Sequence, residues 1–269
     1  MEEAMSANPL MDRLKANEPS YVFSVRMART INIVAMAEEC GYHGLYVDLQ
    51  HSSISIDVCA QICWAALNSQ ITAFVRVPSV EPGMISRVLD AGAQGILAPD
   101  IRSREQAQAL VQAAMIAPLG ERSVGGGISN PRFRGLKGRA LAEAINQATL
   151  LIAMIETEDG VEAAADIIGV EGISAIQIGS NDLTTSMGIP GDYLNERVKA
   201  AYAKVIKACT DAGKPLIIGG IRSAEQLEPY VRMGAARCYF TGADSVFMLE
   251  GARKFMAEAV NADTAISKT

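Results

Sequence analysis

The chain has 269 residues, is 49% hydrophobic and carries a formal charge of −6 from 24 basic and 30 acidic side chains. Its basic residues are dispersed, which disfavours a nucleic-acid partner, and no apolar run approaches the roughly 18 residues of a membrane span. Five scattered cysteines argue against a secreted disulfide framework, and the acidic start Met1-Glu2-Glu3 has no basic-then-apolar leader, so a soluble cytoplasmic chain with reduced thiols is expected.

The first apolar, β-branched run is Tyr21–Val25, and the helical stretch after it stops at Cys40-Gly41, where glycine can take the left-handed conformation that ends a helix. Gly44–Asp48 follows and closes on a carboxylate, with His51 three residues on in a loop. His43, before that run, belongs to the opposite rim and reads as structural. Cys59 and Cys63 share a helix face, but no second Cys/His pair at zinc-ligand spacing accompanies them, so they read as core. Ile71–Val77 is interrupted by Arg76, whose guanidinium must find an anion near the rim or reach water. A substrate carboxylate or enolate suits its planar fork; Asp48 or Glu156 is the internal alternative. The helix expected over Gly83–Ala91 carries Asp90 near its C-terminal end, where an anion opposes the macrodipole unless a cation meets it. Arg87 or an imidazole from another subunit are the candidates.

Gly95–Ala98 leads to Asp100 and a capping box in which Ser103 accepts from first-turn amides and Gln106 reaches back; Ser223 and Gln226 repeat that pattern later in the chain. The longest interruption, from Pro118 to about Gly138, carries Gly125-Gly126-Gly127 and the cations Arg132, Arg134, Lys137 and Arg139, and reads as a lid or interface. Leu150–Ile155 ends at Glu156, Ala175–Ile178 leads to Asp182, and Leu216–Ile218 and Cys238–Phe240 complete the series, with further glycine stops at Gly92, Gly213 and Gly234. Eight strands alternating with helices describe a single-domain (β/α)8 TIM barrel over residues 1–269, with frayed ends at about 1–12 and 262–269.

In such a barrel the strand C-termini share one rim, so Asp48, Arg76, Asp100, Glu156 and Asp182 converge. Asp182 alone reads equally well as a helix cap. Glu156 does not, because an inward carboxylate at the end of an apolar strand is costly unless a cation or donor meets it. Two carboxylates leave positions free for water and substrate, as Mg²⁺ or Mn²⁺ prefers.

Val47–His51, Phe74–Pro78, Ile155–Thr157 and Ile178–Gly188 together resemble the metal-dependent class II pyruvate aldolases of the HpcH/HpaI type, the 4-hydroxy-2-oxoheptanedioate aldolase family, over about Tyr21 to Ala257. The resemblance implies Glu156 and Asp182 as metal ligands for Mg²⁺, Mn²⁺ or Co²⁺, Arg76 as the catalytic arginine and His51 as the base. It also implies Asp90 as the aspartate that orients that histidine across a subunit interface, with Asp48 a local rival. The backbone of Gly179, Ser180, Asn181 and Asp182 would hold the oxo-acid carboxylate. Pyruvate or hydroxypyruvate, an aldehyde, and a homohexamer built as a trimer of dimers are the implied partners. Two departures stand out: Met154 where relatives often carry glutamine, and Gly179-Ser180-Asn181-Asp182 where they often read Gly-Pro-Ala-Asp.

Rival readings are an acyl-CoA lyase of the citrate-lyase β type, a non-catalytic oxo-acid-binding barrel, a phosphate cradle at Gly219-Gly220 and Thr241-Gly242, and a Schiff-base aldolase. The last has little room, since no expected strand contains lysine and Lys214 lies on the lower rim.

Overall fold

The computed structural model describes residues 8–125 and 136–267. Eight parallel strands close in sequence order into a barrel. They are β1 Ser20–Val25, β2 Gly44–Asp48, β3 Thr72–Arg76, β4 Gly95–Ala98, β5 Leu150–Ile155, β6 Ala175–Gly179, β7 Leu216–Gly219 and β8 Cys238–Ala243. The helices Asn32–Glu39, Ile56–Ala66 and Pro82–Asp90 follow β1, β2 and β3, and Arg104–Ala114 follows β4. After β5 come Glu158–Glu162 and Ala164–Ile168, after β6 Ser180–Ser186 and Glu196–Asp211, and after β7 Ala224–Met233. The expected barrel is therefore present, with strand ends displaced from the sequence reading by three residues at most, at β8. The four anticipated stop glycines, Gly41, Gly92, Gly213 and Gly234, all have φ between 65° and 114°.

Period-two alternation divides the core into two layers. Outward residues such as Val47, Val75, Ile96 and Ile155 pack under the helices. Inward residues, among them Tyr46, Phe74, Leu97, Ile152, Met154 and Phe240, fill the barrel. This parity fixes the site, because Asp48, Arg76 and Gly179 fall two residues after inward Tyr46, Phe74 and Gln177 and so rise from the same interior. Cys59 and Cys63 lie on the buried face of the Ile56–Ala66 helix, as their spacing suggested, and Cys209 and Cys238 are also buried with free thiols.

Order at the two ends extends further than the sequence reading allowed. Pro9–Lys15 forms a helix whose Leu10, Met11 and Leu14 join the barrel interior and close its lower mouth. Its cap, Asn8, donates to the carbonyls of Gln94 (2.8 Å) and Ala148 (3.0 Å) and accepts from Met11 N. Short apolar segments near a terminus look dispensable in sequence, but this one covers an otherwise open end of the core. At the other end Asp244–Ile266 is helical, with Asp244 its buried residue. Met248, Phe255 and Met256 along it are exposed. Of the expected cation cluster, Arg132 and Arg134 lie outside the described residues, while Lys137 and Arg139 are described and Arg139 pairs with Glu143 one helical turn on. Among the described residues no helix is long and apolar enough to cross a membrane.

Replacing Asn8 with Ala removes a donor from the carbonyls of Ala148 and Gln94, of which Gln94 O keeps the Leu150 amide, and the expected loss is about 1–3 kcal/mol of unfolding free energy. Urea denaturation measures it; an unchanged midpoint and slope would mean the plug contributes nothing.

Candidate active site

The upper mouth of the barrel holds a cavity of about 150 Å³ whose walls include Arg26, Arg76, Glu156, Gln177, Asp182 and Arg222. Its side chains come from different β/α units, as the fold requires. Arg76 ends β3 and Glu156 follows β5 directly. Asp182 sits in the first turn of Ser180–Ser186, which begins without a break after β6.

Arg76 is held by Asp48, its register neighbour on β2. Nε donates to Oδ1 at 3.0 Å and Nη2 to Oδ2. Arg26 Nε donates to the same Oδ2 at 2.7 Å, and the amides of Gln50 and His51 donate to Oδ1 at 3.1 Å. Asp48 is fully buried. Burial pushes its carboxyl up, but the Arg76 hydrogen bond and charge, the His51 amide and Arg26 outweigh it, and the pKa falls below the ordinary carboxylate value. Arg76 is buried too, yet Asp48, Tyr46 and Glu156 hold it more firmly charged than usual. The internal alternative for Arg76 is thus realised at Asp48, while the guanidinium still lines the cavity.

Glu156 has the opposite environment. Burial comes first and the facing Asp182 carboxylate second; together they push its pKa up to about 7. The two acids line the same cavity from successive β/α units. The Asp100 amide donates to Glu156 Oε1 at 2.9 Å, opposing the rise. Asp100 adopts φ 55° to aim that amide, a left-handed conformation tolerated by aspartate. Its own carboxylate turns out to Arg102. Gly179 makes the approach possible, since a Cβ there would lie 2.7 Å from Glu156 Oε2. Among the described residues no three His, Cys, Asp or Glu side chains cluster as a metal site. The Glu156–Asp182 pair supplies two hard oxygen donors in one cavity and fits a divalent ion that completes its shell with water and substrate.

The remaining expected residues are dispersed around this centre. His51 is tied to Asp48 through its backbone, but its ring is exposed and is not part of the cavity wall. Asp90 finds its cation in Arg122, at 2.6 Å, rather than in Arg87. The Ser180 hydroxyl donates to Gly219 O and accepts from Tyr202, so it is turned into the packing, and Asn181 Oδ1 accepts from Tyr193. Thr241 bonds Tyr42 and Val22 O, which removes it from a phosphate cradle. Lys214 donates to the carbonyls of Ile168 and Val170.

Four residues escaped the sequence reading. Arg26 follows β1 as Arg76 ends β3, and the same rim logic applied one strand earlier finds it. Asp244 holds the loop carrying Arg26, accepting from the amides of Arg26, Met27 and Ala28. Arg222 was absorbed into a helix-start motif. Gln177 interrupts an apolar strand, the same signal that singled out Arg76.

Removing Asp48 leaves a buried guanidinium without its anion. Asp48→Ala is expected to cost about 3–5 kcal/mol of stability, and the Asp48→Ala, Arg76→Met pair to recover part of it. Guanidinium denaturation of both variants tests this; a double variant no more stable than the single one contradicts it.

A model of the HpcH/HpaI aldolase/citrate lyase family matches residues 27–250. The chain is 32% identical over 248 residues to the 4-hydroxy-4-methyl-2-oxoglutarate aldolase of Hapsidospora irregularis, covering 91% of this chain and 92% of the relative. It is 30% identical to the hydroxypyruvate/pyruvate aldolase of Paraburkholderia phytofirmans, covering 93% and 97%. Among solved structures, the HpcH/HpaI aldolase of Desulfitobacterium hafniense superposes with a TM-score of 0.85 at 26% identity, covering 92% of this chain and 95% of that one. With the barrel, the rim geometry and these likenesses in agreement, the chain belongs to the HpcH/HpaI aldolase/citrate lyase family.

Proposed function

We propose that the chain is a divalent-metal-dependent aldolase that reversibly cleaves or forms 4-hydroxy-2-oxo acids, with pyruvate or hydroxypyruvate as donor and an aldehyde as acceptor. The observation that carries this reading is the facing pair Glu156 and Asp182 in a small cavity shared with Arg76. The pair would hold Mg²⁺ or Mn²⁺, with Co²⁺ also suited to carboxylate and imidazole or water ligands. Such an ion supplies Lewis-acid polarisation of a keto oxygen. A cavity of about 150 Å³ is of the size that takes benzene, hence about six non-hydrogen atoms, the number in pyruvate.

Arg76, fixed by Asp48, directs its N–H donors at the negative charge that grows on the keto oxygen as the neighbouring C–H ionises. The backbone from Gly179 to Asp182 meets the acid's carboxylate. His51 moves the proton between the acceptor hydroxyl and solvent: in cleavage it takes the hydroxyl proton and the aldehyde leaves, in synthesis it returns the proton to the new alkoxide. Asp48 restrains the His51 loop through the amide, and Asp90 of a second copy orients the imidazole. A homohexamer, a trimer of dimers, is supported by the exposed apolar residues of Asp244–Ile266 and by the groove of about 760 Å³ lined by Tyr21, Phe23, Met36, Phe247 and Met248. A monomer with full aldol turnover in light scattering and assay would contradict the shared site.

The Schiff-base alternative finds no support, since no lysine among the described residues lines the cavity. Borohydride reduction with pyruvate is expected to leave no lysine adduct. A non-catalytic oxo-acid binder has no use for His51, and proton exchange of pyruvate in D₂O with Mn²⁺ separates it from an aldolase.

Glu156→Ala is expected to abolish metal-dependent turnover and Arg76→Ala to eliminate that exchange. His51→Ala is expected to lower aldol turnover by about 10²–10⁴-fold with Mn²⁺ affinity retained. Equal loss of Mn²⁺ binding in all three variants would contradict these separate roles. Metal uptake must displace the proton shared by the pair, so Mn²⁺ affinity should rise about tenfold per pH unit up to about 7 and level off above it. The metal-free protein shows the converse. Glu156 is raised above its ordinary 4.5, so it becomes charged at a cost and stability falls as pH rises from there to about 7. Calorimetric titration across pH 5.5 to 8 reads the first trend, and a flat profile would refute it.

A further inference from the structure

We propose that Gln177 donates a hydrogen bond to the carboxylate of the bound oxo acid, and so makes the cavity select 2-oxo acids over uncharged carbonyl compounds; this deepens the aldolase reading and rests on it. Gln177 is the third residue of β6 and points inward by the same parity as Ala175 and Gly179. It is 2% exposed, lines the cavity, and its Nε2 is enclosed without a hydrogen-bond partner. Its register neighbours, Met154 on β5 and Ile217 on β7, are apolar and cannot satisfy it. A buried amide lacking a partner destabilises the free protein, whereas a methionine of similar length would fill the space without that penalty. The wall is nevertheless shaped around it: a Cβ at Gly219 would stand 3.0 Å from Gln177 Cδ. The last torsion of glutamine is broad and two-fold, so either end of the amide can turn to an occupant.

The chemistry of the donor decides which atom it meets. The nucleophilic carbon must face the mouth, where the aldehyde enters. The keto oxygen belongs between Arg76 and the Glu156–Asp182 pair. The carboxylate, at the other end of a three-carbon acid, therefore meets the Gly179–Asp182 backbone with one oxygen and turns the other down towards the layer of Met154, Gln177 and Phe240, which lies two residues below Glu156 and Gly179 on their strands. Tyr46 shares the interior but lies under the Arg76 guanidinium, 5.7 Å from its ring centre. Gln177 is left as the polar side chain on the β6 side. The resemblance anticipated an inward amide at Met154; here the amide stands on the adjacent strand, directly across from that position.

The test uses the full chain loaded with Mn²⁺ and its Gln177→Met and Gln177→Glu variants. Calorimetry is expected to show pyruvate binding weakened about 10–100-fold in Gln177→Met, the loss of one hydrogen bond to a charged group, and further in Gln177→Glu, where like charges meet. Mn²⁺ affinity and the KM for the aldehyde are expected to stay within twofold. Pyruvaldehyde, which lacks the carboxylate, is expected to bind Gln177→Met as it binds the parent. Metal-free Gln177→Met is expected to melt about 2–4 °C higher than the parent. Pyruvate affinity within twofold of the parent, or equal losses for pyruvate and pyruvaldehyde, would overturn the assignment. A parent protein that neither binds pyruvate with Mn²⁺ nor exchanges its protons would instead sink the aldolase reading, before any variant is compared.

Discussion

Charge buried inside a closed barrel has to be answered by charge or by oriented dipoles, because the interior admits little water. The upper mouth of this barrel answers it in two ways. Asp48 receives two guanidinium groups and two backbone amides, and its carboxyl is held ionised below the ordinary range. Glu156 receives one amide and a second carboxylate, and is pushed up to about 7. The first acid is satisfied by the protein itself, so it serves to position Arg76 and the loop of His51. The second pair is left wanting a cation, and that incompleteness separates a site from a salt bridge.

Backbone conformation makes this contrast possible. Parallel strands in register bring Asp48 beside Arg76 and Gly179 beside Gly219 without help from long loops. The absence of a side chain at Gly179 lets Glu156 lean across β6, since a Cβ would lie within 3 Å of its carboxylate and of its own Cβ. Asp100 adopts left-handed geometry, and the same conformation delivers its amide to Glu156. Loop side chains are thereby spared: the groups nearest the acids come from strand ends and from backbone, the stiffest parts of the fold.

The fold was legible because its signals are local. Apolar β-branched runs locate strands, and a glycine before each of several strands marks where a helix must stop, so the barrel follows from periodicity and punctuation alone. The inward aim of Glu156 and Arg76 was legible for the same reason, since the parity of a strand fixes which face a residue takes, and Asp182 reaches the same cavity from the helix that begins without a break after β6. What stayed hidden depends on distances between segments remote in sequence. Arg26 matters through Asp48, 22 residues on, and is held by Asp244, 218 residues away. For Asp90 the sequence offered Arg87 on its own helix or an imidazole from another subunit, but within the chain it pairs with Arg122, which no periodicity connects to it. The start of the Pro9–Lys15 helix fell within the residues read as frayed, up to about residue 12, because the hole it closes exists only once the strands have curled into a barrel.

Counting charges across the mouth links these observations to chemistry. Arg26, Arg76 and Arg222 stand against Asp48, Glu156 and Asp182, so the ionised site is formally neutral. On the proposed aldolase reading, a divalent ion held by Glu156 and Asp182 would leave two positive charges in excess. A bound 2-oxo acid would cancel one of them, and ionisation of its C–H, with the proton passed out to solvent, would cancel the other. Neutrality would then be reached in the enolate rather than in the bound acid, and electrostatic stabilisation that grows along the reaction is what lowers a barrier. Geometry, rather than the count, is why Asp48 must stay ionised. Its two oxygens accept from Nε and Nη2 of Arg76 and from Arg26, and a protonated carboxyl would give up part of that grip, freeing the guanidinium from the position at which it lines the cavity.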